Sequence, residues 1–370
     1  MNFSRLHAGL IFMLLAAAMS LPLVAVSQQS PDDLVLARAA YDAFLKGNYA
    51  VAEAYYRESI LKAEGSNISP SRQATMWGNL AHVLMAQGRY QEAEELFNRS
   101  LKFGETATVD PRVRAIVLIN LSSLYLRTNR LDRAETILDE AVVLCRKHFG
   151  EGSSHLAAAL RQLGIVYAQT VRVKPAEKRL KEALAIAEQQ PAIRPDEFAA
   201  ILTSLASTYS MQKKWDDAEE MFIRAIEVVE RAFGTVHPSM GDALVNLAEH
   251  SMLRRDFIRA EGLLRRTVDV REKLHGKDHV DTGLTYVRLA IALTAQKRYD
   301  EAHELFAVSL PIIERVLGPE SPEVGLYLEH FGRLLRQMHD TGRAEAVEAR
   351  ARAIRDVHAF TISAETLRKR

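Results

Sequence analysis

Apolar and polar positions follow a helical period along most of the chain, most clearly from Leu160 to Ala183. Leu160, Leu163, Gly164 and Tyr167 share one face of a first helix, and Ala176, Leu180 and Ala183 share one face of a second. Two amphipathic helices with small residues where they cross have this pattern. The stretch then recurs. Forty-two residues on stand Leu202, Leu205, Ala206, Tyr209, Ala218, Phe222 and Ala225; forty-two further stand Leu244, Leu247, Ala248, Ser251, Ala260, Leu264 and Thr267. Self-similarity at a fixed period predicts a helical repeat architecture before any other signal is weighed.

Eight such units fit between Asp32 and about His358. Their second helices are predicted to open at Tyr49, Tyr90, Leu131, Val173, Trp215, Phe257, Tyr299 and Thr341, the first two steps being 41 residues and the other five 42. Three residues after each opening stands an alanine: Ala52, Ala93, Ala134, Ala176, Ala218, Ala260, Ala302 and Ala344. Two helices pack at the short end of the ~8–10 Å range only when the side chain at the crossing is small. Gly47-Asn48 and Gln87-Gly88-Arg89-Tyr90 read as turns between paired helices. Gly150, Gly234, Gly276 and Gly318, each nineteen residues past an opening, read as helix C-caps. The fourth unit departs here, with Pro191 and Pro195 in place of the glycine, so its junction is expected to bend differently. The eighth places Glu348 where the others have a large apolar residue, as a solenoid end facing water requires. Its last helix is expected over 343–358, with a short basic tail at 359–370. Glu92, Glu94 and Glu95 read as solvated positions with partners one helical turn away.

The first thirty residues differ. Arg5 and His7 precede an uncharged apolar run from Ala8 to Met19, followed by Pro22 and Ala25-Val26-Ser27. This is the pattern of a secretory signal over residues 1–27, with a cut after Ser27 or, alternatively, after Ser20. An uncleaved anchor over residues 8–26 is the other reading. No cysteine follows the run, so a lipid-anchored form is not expected. The chain is thus expected to be exported, to a periplasm or the extracellular space, with membrane contact only if the signal stays uncut.

In the 370-residue chain, 26% of residues are charged and the formal net charge is +1, which argues against a nucleic-acid binder driven by phosphate contacts. Cys145 is the single cysteine. It lies on the apolar face of its helix and reads as a buried structural thiol rather than a reactive one, so packing alone must hold the fold.

These residues resemble tetratricopeptide repeats. The family's signature appears in Trp77, Leu80, Ala81, Leu84, Ala93 and Phe97, and more fully in the fourth and fifth units. The family's usual period is shorter. The 42-residue spacing, with the loops at Gly234 to Pro238 and Gly276 to His279, is similar to the longer repeats of kinesin light chains. The resemblance covers Asp32 to about His358, within a solenoid domain expected over residues 28–358. It implies an all-α, right-handed superhelical solenoid of about eight helix-turn-helix repeats that captures peptides in a concave groove lined by first helices.

On that implication, the residue before each anchoring leucine points into the groove: Asn79, Asn120, Gln162, Ser204, Asn246, Arg288 and His330. All are polar. An Asn or Gln both donates to and accepts from a peptide backbone, for a net ~0.5–1.5 kcal/mol per bond. The family uses groove asparagines in this way, and Asn79, Asn120 and Asn246 match that placement. Side chains bonding between repeats would explain the same polarity. His82 and Ser123, three residues further on, are also candidates, as are Ser207, Glu249 and Arg333. Arg127 and Arg161 make the early groove mildly basic, which suits an acidic or C-terminal carboxylate.

No H-E-x-x-H, G-x-x-x-x-G-K-[ST] or G-x-S-x-G motif occurs. His237 and His279 recur one repeat apart, and loop capping explains them better than a metal does. The expectation is therefore a non-enzymatic interaction module without cofactor, metal or small-molecule substrate, whose partners are proteins or peptides. The alternative is a self-associating structural scaffold in the cell envelope.

Overall fold

The computed structural model describes residues 31–368 except 46–47, 65–67, 107 and 191–192. The expectations for residues 1–27, the span 8–26, Gly47 and Pro191 lie outside the described residues. Sixteen α-helices, and no strand, are found among the described residues. In chain order they are α1 (Pro31–Leu45), α2 (Tyr49–Glu64), α3 (Pro70–Ala86), α4 (Tyr90–Thr106), α5 (Pro111–Arg127), α6 (Leu131–Phe149), α7 (Ser154–Gln169) and α8 (Val173–Gln189). There follow α9 (Pro195–Met211), α10 (Trp215–Phe233), α11 (Pro238–Leu253), α12 (Phe257–His275), α13 (Val280–Ala295), α14 (Tyr299–Leu317), α15 (Pro322–Gln337) and α16 (Thr341–Arg368). Every second helix opens at the residue its register demands. The last runs from Thr341 to Arg368 rather than over 343–358. None of the described helices is long and apolar enough to cross a membrane.

The fold is an all-α repeat solenoid, and its contacts divide the described chain into two compact units, residues 31–212 and 213–368. Each unit stacks helix hairpins around its own core. One core runs from Ala40 to Ile201 and the other from Ala248 to Ile354.

Local chemistry starts and stops the helices. Prolines occupy the first turn of α3, α5, α9, α11 and α15, where the missing N–H costs nothing. Ser69, Asp110, Ser153 and Ser321 cap α3, α5, α7 and α15 through side-chain oxygens. His237 and His279 cap α11 and α13, each accepting at Nδ1 from the backbone N–H two residues on, at 3.2 Å. Their rings stack on Phe233 and His275, at 4.1 and 4.4 Å between centroids. The recurrence of the two histidines is thus a capping device. Gly150, Gly234, Gly276 and Gly318 end α6, α10, α12 and α14 with φ between 78° and 90°. At the fourth junction α8 ends on Gln190 in an extended conformation, and α9 begins at Pro195 without a side-chain cap.

The turns inside the hairpins are more uniform than their sequences. Gly88, Asn129, Val171, Lys213, Arg255, Lys297 and His339, each two residues before an opening, all have φ between 54° and 79°. In six of the hairpins the next N–H reaches five residues back, as in Arg130 to Tyr125 at 2.8 Å and Arg172 to Tyr167 at 2.7 Å. This is the bond of the Schellman motif, and it fixes the left-handed residue regardless of type.

All eight register alanines are 0% exposed. Four residues on, Tyr56, Phe97, Leu138, Leu180, Phe222, Leu264 and Phe306 are buried. Gly164 marks how closely α7 and α8 cross, since a Cβ there would meet Leu180 Cγ at 2.6 Å. At the end of the chain, Glu348 takes two 2.6 Å bonds from Arg336 on α15 instead of entering a core. Cys145 is fully buried, and burial pushes its thiol pKa up to about 12, which leaves it an inert packing residue.

Candidate functional site

In the first unit the first helices α3, α5, α7 and α9 touch one another in succession, while successive second helices approach less closely. The row of first helices therefore forms the tighter side of that stack. These helices are buried around most of their circumference: on α5, Val113 and Ala115 through Leu126 are all buried, with Arg114 between them half-buried. Polar groups on this row either bond within the fold or are held beside water.

The predicted positions take both fates. Gln162 is fully buried on α7; it accepts from the Ser122 hydroxyl and donates to Ser123 Oγ at 3.0 Å, both on α5. Ser204 donates to Ala200 O on its own helix at 2.8 Å. In the second unit Arg288 donates to Glu249 at 2.9 Å, and both are buried. Burial raises the Glu249 carboxyl, and Arg288 works against that rise. His82 packs edge-on against Phe44 at 5.2 Å; burial, with Arg127 adding to it, pushes its pKa down to about 4 and keeps it neutral. Burial drives His330 lower still, to about 3.

Asn79, Asn120 and Asn246 differ. Their side-chain amides have no hydrogen-bond partner among the described residues. Asn79 and Asn246 are part-exposed and Asn120 is 8% exposed. Asn79 and Asn120 sit at one register on the adjoining helices α3 and α5, and Asn246 holds that register on α11 of the second unit. An unoccupied amide at this spacing can pair with a peptide unit, which offers one donor and one acceptor.

A second regularity escaped the sequence reading. The glutamate four residues past an opening bonds an arginine in the next repeat's turn: Glu53 with Arg89 at 2.8 Å, Glu94 with Arg130 at 2.7 Å, Glu261 with Arg298 at 2.7 Å, and Glu135 with Arg172. Glu94 therefore looks forward one repeat rather than along its own helix. The recurrence of Glu at that register, with Arg one residue before the following opening, was the available signal. In the second unit Asp256 holds that Arg position, and Glu219 is bonded instead by Arg254 and Arg259 at 2.7 and 2.5 Å. An open cleft of about 630 Å³ lies there, lined by Asp216, Glu219, Ser251, Arg254, Asp256 and Arg259. Its charges largely satisfy one another. No group of three metal-ligating side chains occurs among the described residues.

Family models described as tetratricopeptide repeat match residues 34–108, 72–147, 113–189, 198–239 and 239–315. No curated protein matches the sequence. Among solved structures, BtubC (BKLC) from P. vanneervenii is 21% identical with a TM-score of 0.54, over 62% of this chain and 92% of its own. A Rap protein complexed with Competence and Sporulation Factor is 12% identical with a TM-score of 0.56, over 89% and 99%. TPR-like repeats from a Podosopora anserina protein assigned as a kinesin light chain are 21% identical with a TM-score of 0.47, over 55% and 96%. By the span of the matching models and the register of its helices, the chain belongs to the tetratricopeptide repeat family.

Proposed function

We propose that this protein is a non-enzymatic interaction scaffold that holds an extended segment of a partner protein along its row of first helices. The observation that carries the reading is the pair of amides at one register in the first unit, Asn79 and Asn120, which have no hydrogen-bond partner among the described residues; Asn246 holds the same register within the second unit. Gln162, Ser204 and Arg288 shape the row from within rather than touching the ligand. A Rap protein of similar fold is solved in complex with Competence and Sporulation Factor, so a ligand-bound form of this architecture exists. The apolar run from Ala8 to Met19, with small residues before Gln28, supports export, so the partner is sought outside the cytoplasm.

The test is a paired pull-down from an extracytoplasmic extract. One bait is the native chain. The other carries Asn79→Ala, Asn120→Ala and Asn246→Ala with unchanged helicity and melting. Partners retained by the first and lost by the second are the expected result. Equal retention by both removes the amides from recognition. No partner, with mass rising with concentration in light scattering, would favour a self-associating scaffold.

A further inference from the structure

At four joints between repeats, the arginine one residue before an opening reaches back to the glutamate of the previous repeat: Arg89 to Glu53, Arg130 to Glu94, Arg172 to Glu135 and Arg298 to Glu261. A large side chain stands six residues before each of these openings. Arg130 lies over the Tyr125 ring and Arg172 over the Tyr167 ring, each at 4.5 Å. Leu84 and Leu293 hold that position in the repeats of Arg89 and Arg298. At the joint between α10 and α12 both positions change. Asp256 replaces the arginine, and Ser251 replaces the large side chain. Both line the cleft of about 630 Å³, together with Asp216, Glu219, Arg254 and Arg259. The cleft is therefore the space that an arginine and its backing side chain fill elsewhere in this chain.

The acceptors of that socket remain. Glu219 takes one bond on each oxygen, from Arg254 at 2.7 Å and Arg259 at 2.5 Å. A carboxylate offers about four acceptor sites, so half of its capacity is still open. The Asp256 carboxylate accepts the Arg259 backbone N–H at 3.1 Å and forms no ion pair among the described residues. Asp216 has a 3.6 Å contact with Arg254 and a side chain that is 96% exposed. Three carboxylates against two guanidiniums leave one negative charge in the cleft. We propose that the cleft binds the guanidinium of an arginine supplied by a second molecule, which enters the place of the missing turn arginine and pairs with Asp256 and Glu219. A planar fork can bond two carboxylates at once, which a lysine point charge does less well. The chain itself uses arginine in this way: Arg89 bridges Glu53 and Glu92, and Arg298 bridges Glu261 and Glu301. The socket lies at the hairpin turns, off the row of first helices, and does not rest on the amides proposed above.

The probe is N-acetyl-L-arginine amide, titrated into the full chain at pH 7 in low salt and followed by saturation transfer to its side-chain protons. Saturable binding is expected, with N-acetyl-L-lysine amide about tenfold weaker or worse. Asp256→Arg restores the turn arginine in cis and should abolish binding. It should also fold, because Arg130, Arg172 and Arg298 occupy the same helix-start position. Asp256→Asn keeps a capping side chain and should weaken binding about fivefold or more. Free L-arginine separates the two sources of the guanidinium. Affinity equal to that of the amide assigns it to a side chain of a protein segment, and affinity tenfold higher assigns it to the free amino acid; both support the socket. No saturation, equal affinity for the arginine and lysine probes, or undiminished binding by a folded Asp256→Arg chain or by Asp256→Asn would each overturn it. The probe needs no partner protein, so failure here leaves the pull-down intact, and a failed pull-down leaves this titration intact.

Discussion

A single backbone requirement separates what a residue looks like from what it does. The hairpin turns need one left-handed residue each. Gly88 announces that need, whereas Val171, Arg255 and Lys297 do not, because the turn is imposed by the bond five residues back. Val171 is the most strained of them: it is β-branched, has φ 61° and is 72% exposed, so no burial offsets its conformation. Asn129 occupies the equivalent turn at φ 54°. Val171→Asn should therefore raise stability by about 1 kcal/mol, seen as a later urea midpoint with an unchanged slope. A fall in the midpoint would mean that the valine side chain contributes more than its backbone costs. The candidate site shows the same divide. Gln162 and Asn120 look alike in sequence, and both fall on the polar register. Only Ser122 and Ser123, one repeat earlier on α5, commit the first and leave the second free. Contacts of that kind depend on which helices become neighbours, so they were not legible in a linear reading.

At the scale of the helix pair the sequence was far more informative. Openings, crossing alanines and terminal glycines all repeat, and each answers a local demand that one residue type satisfies. The alanine at the crossing is the strictest of these. Ala134 on α6 is 0% exposed. Ala134→Leu should overpack that crossing and lower stability by about 1–3 kcal/mol in urea unfolding. An unchanged midpoint would show that the hairpin opens without cost and that the small residue is not what sets its spacing. The arginine–glutamate pairs between repeats were missed because the partners lie about 36 residues apart and single exposed ion pairs carry little individual weight.

Across the molecule, buried and paired carboxylates respond to pH in opposite senses. The bond from Arg172 holds Glu135 below its ordinary value. For Glu261 burial alone would raise the carboxyl, but Arg265, Gln296 and Arg298 outweigh it and the result is a lowered pKa. Such groups contribute stability above the unfolded value of 4.5, and that contribution is lost as pH falls through their folded values. Glu197 is raised, so its contribution is complete below 4.5 and is lost as pH rises toward about 7. Urea midpoints should thus peak near pH 4.5, falling on the acid side as the paired carboxylates protonate and on the alkaline side as Glu197 ionises. Glu197→Gln should flatten the alkaline side, and Arg298→Gln should make the acid side shallower. A profile of Glu197→Gln identical to the native one would mean that this carboxyl titrates as an exposed group. The interrupted arginine register at Asp256 has a mechanical reading as well. Each forward-reaching pair spans one joint only, so the small effect of losing it falls on that joint and leaves the rest of the chain as stiff as before.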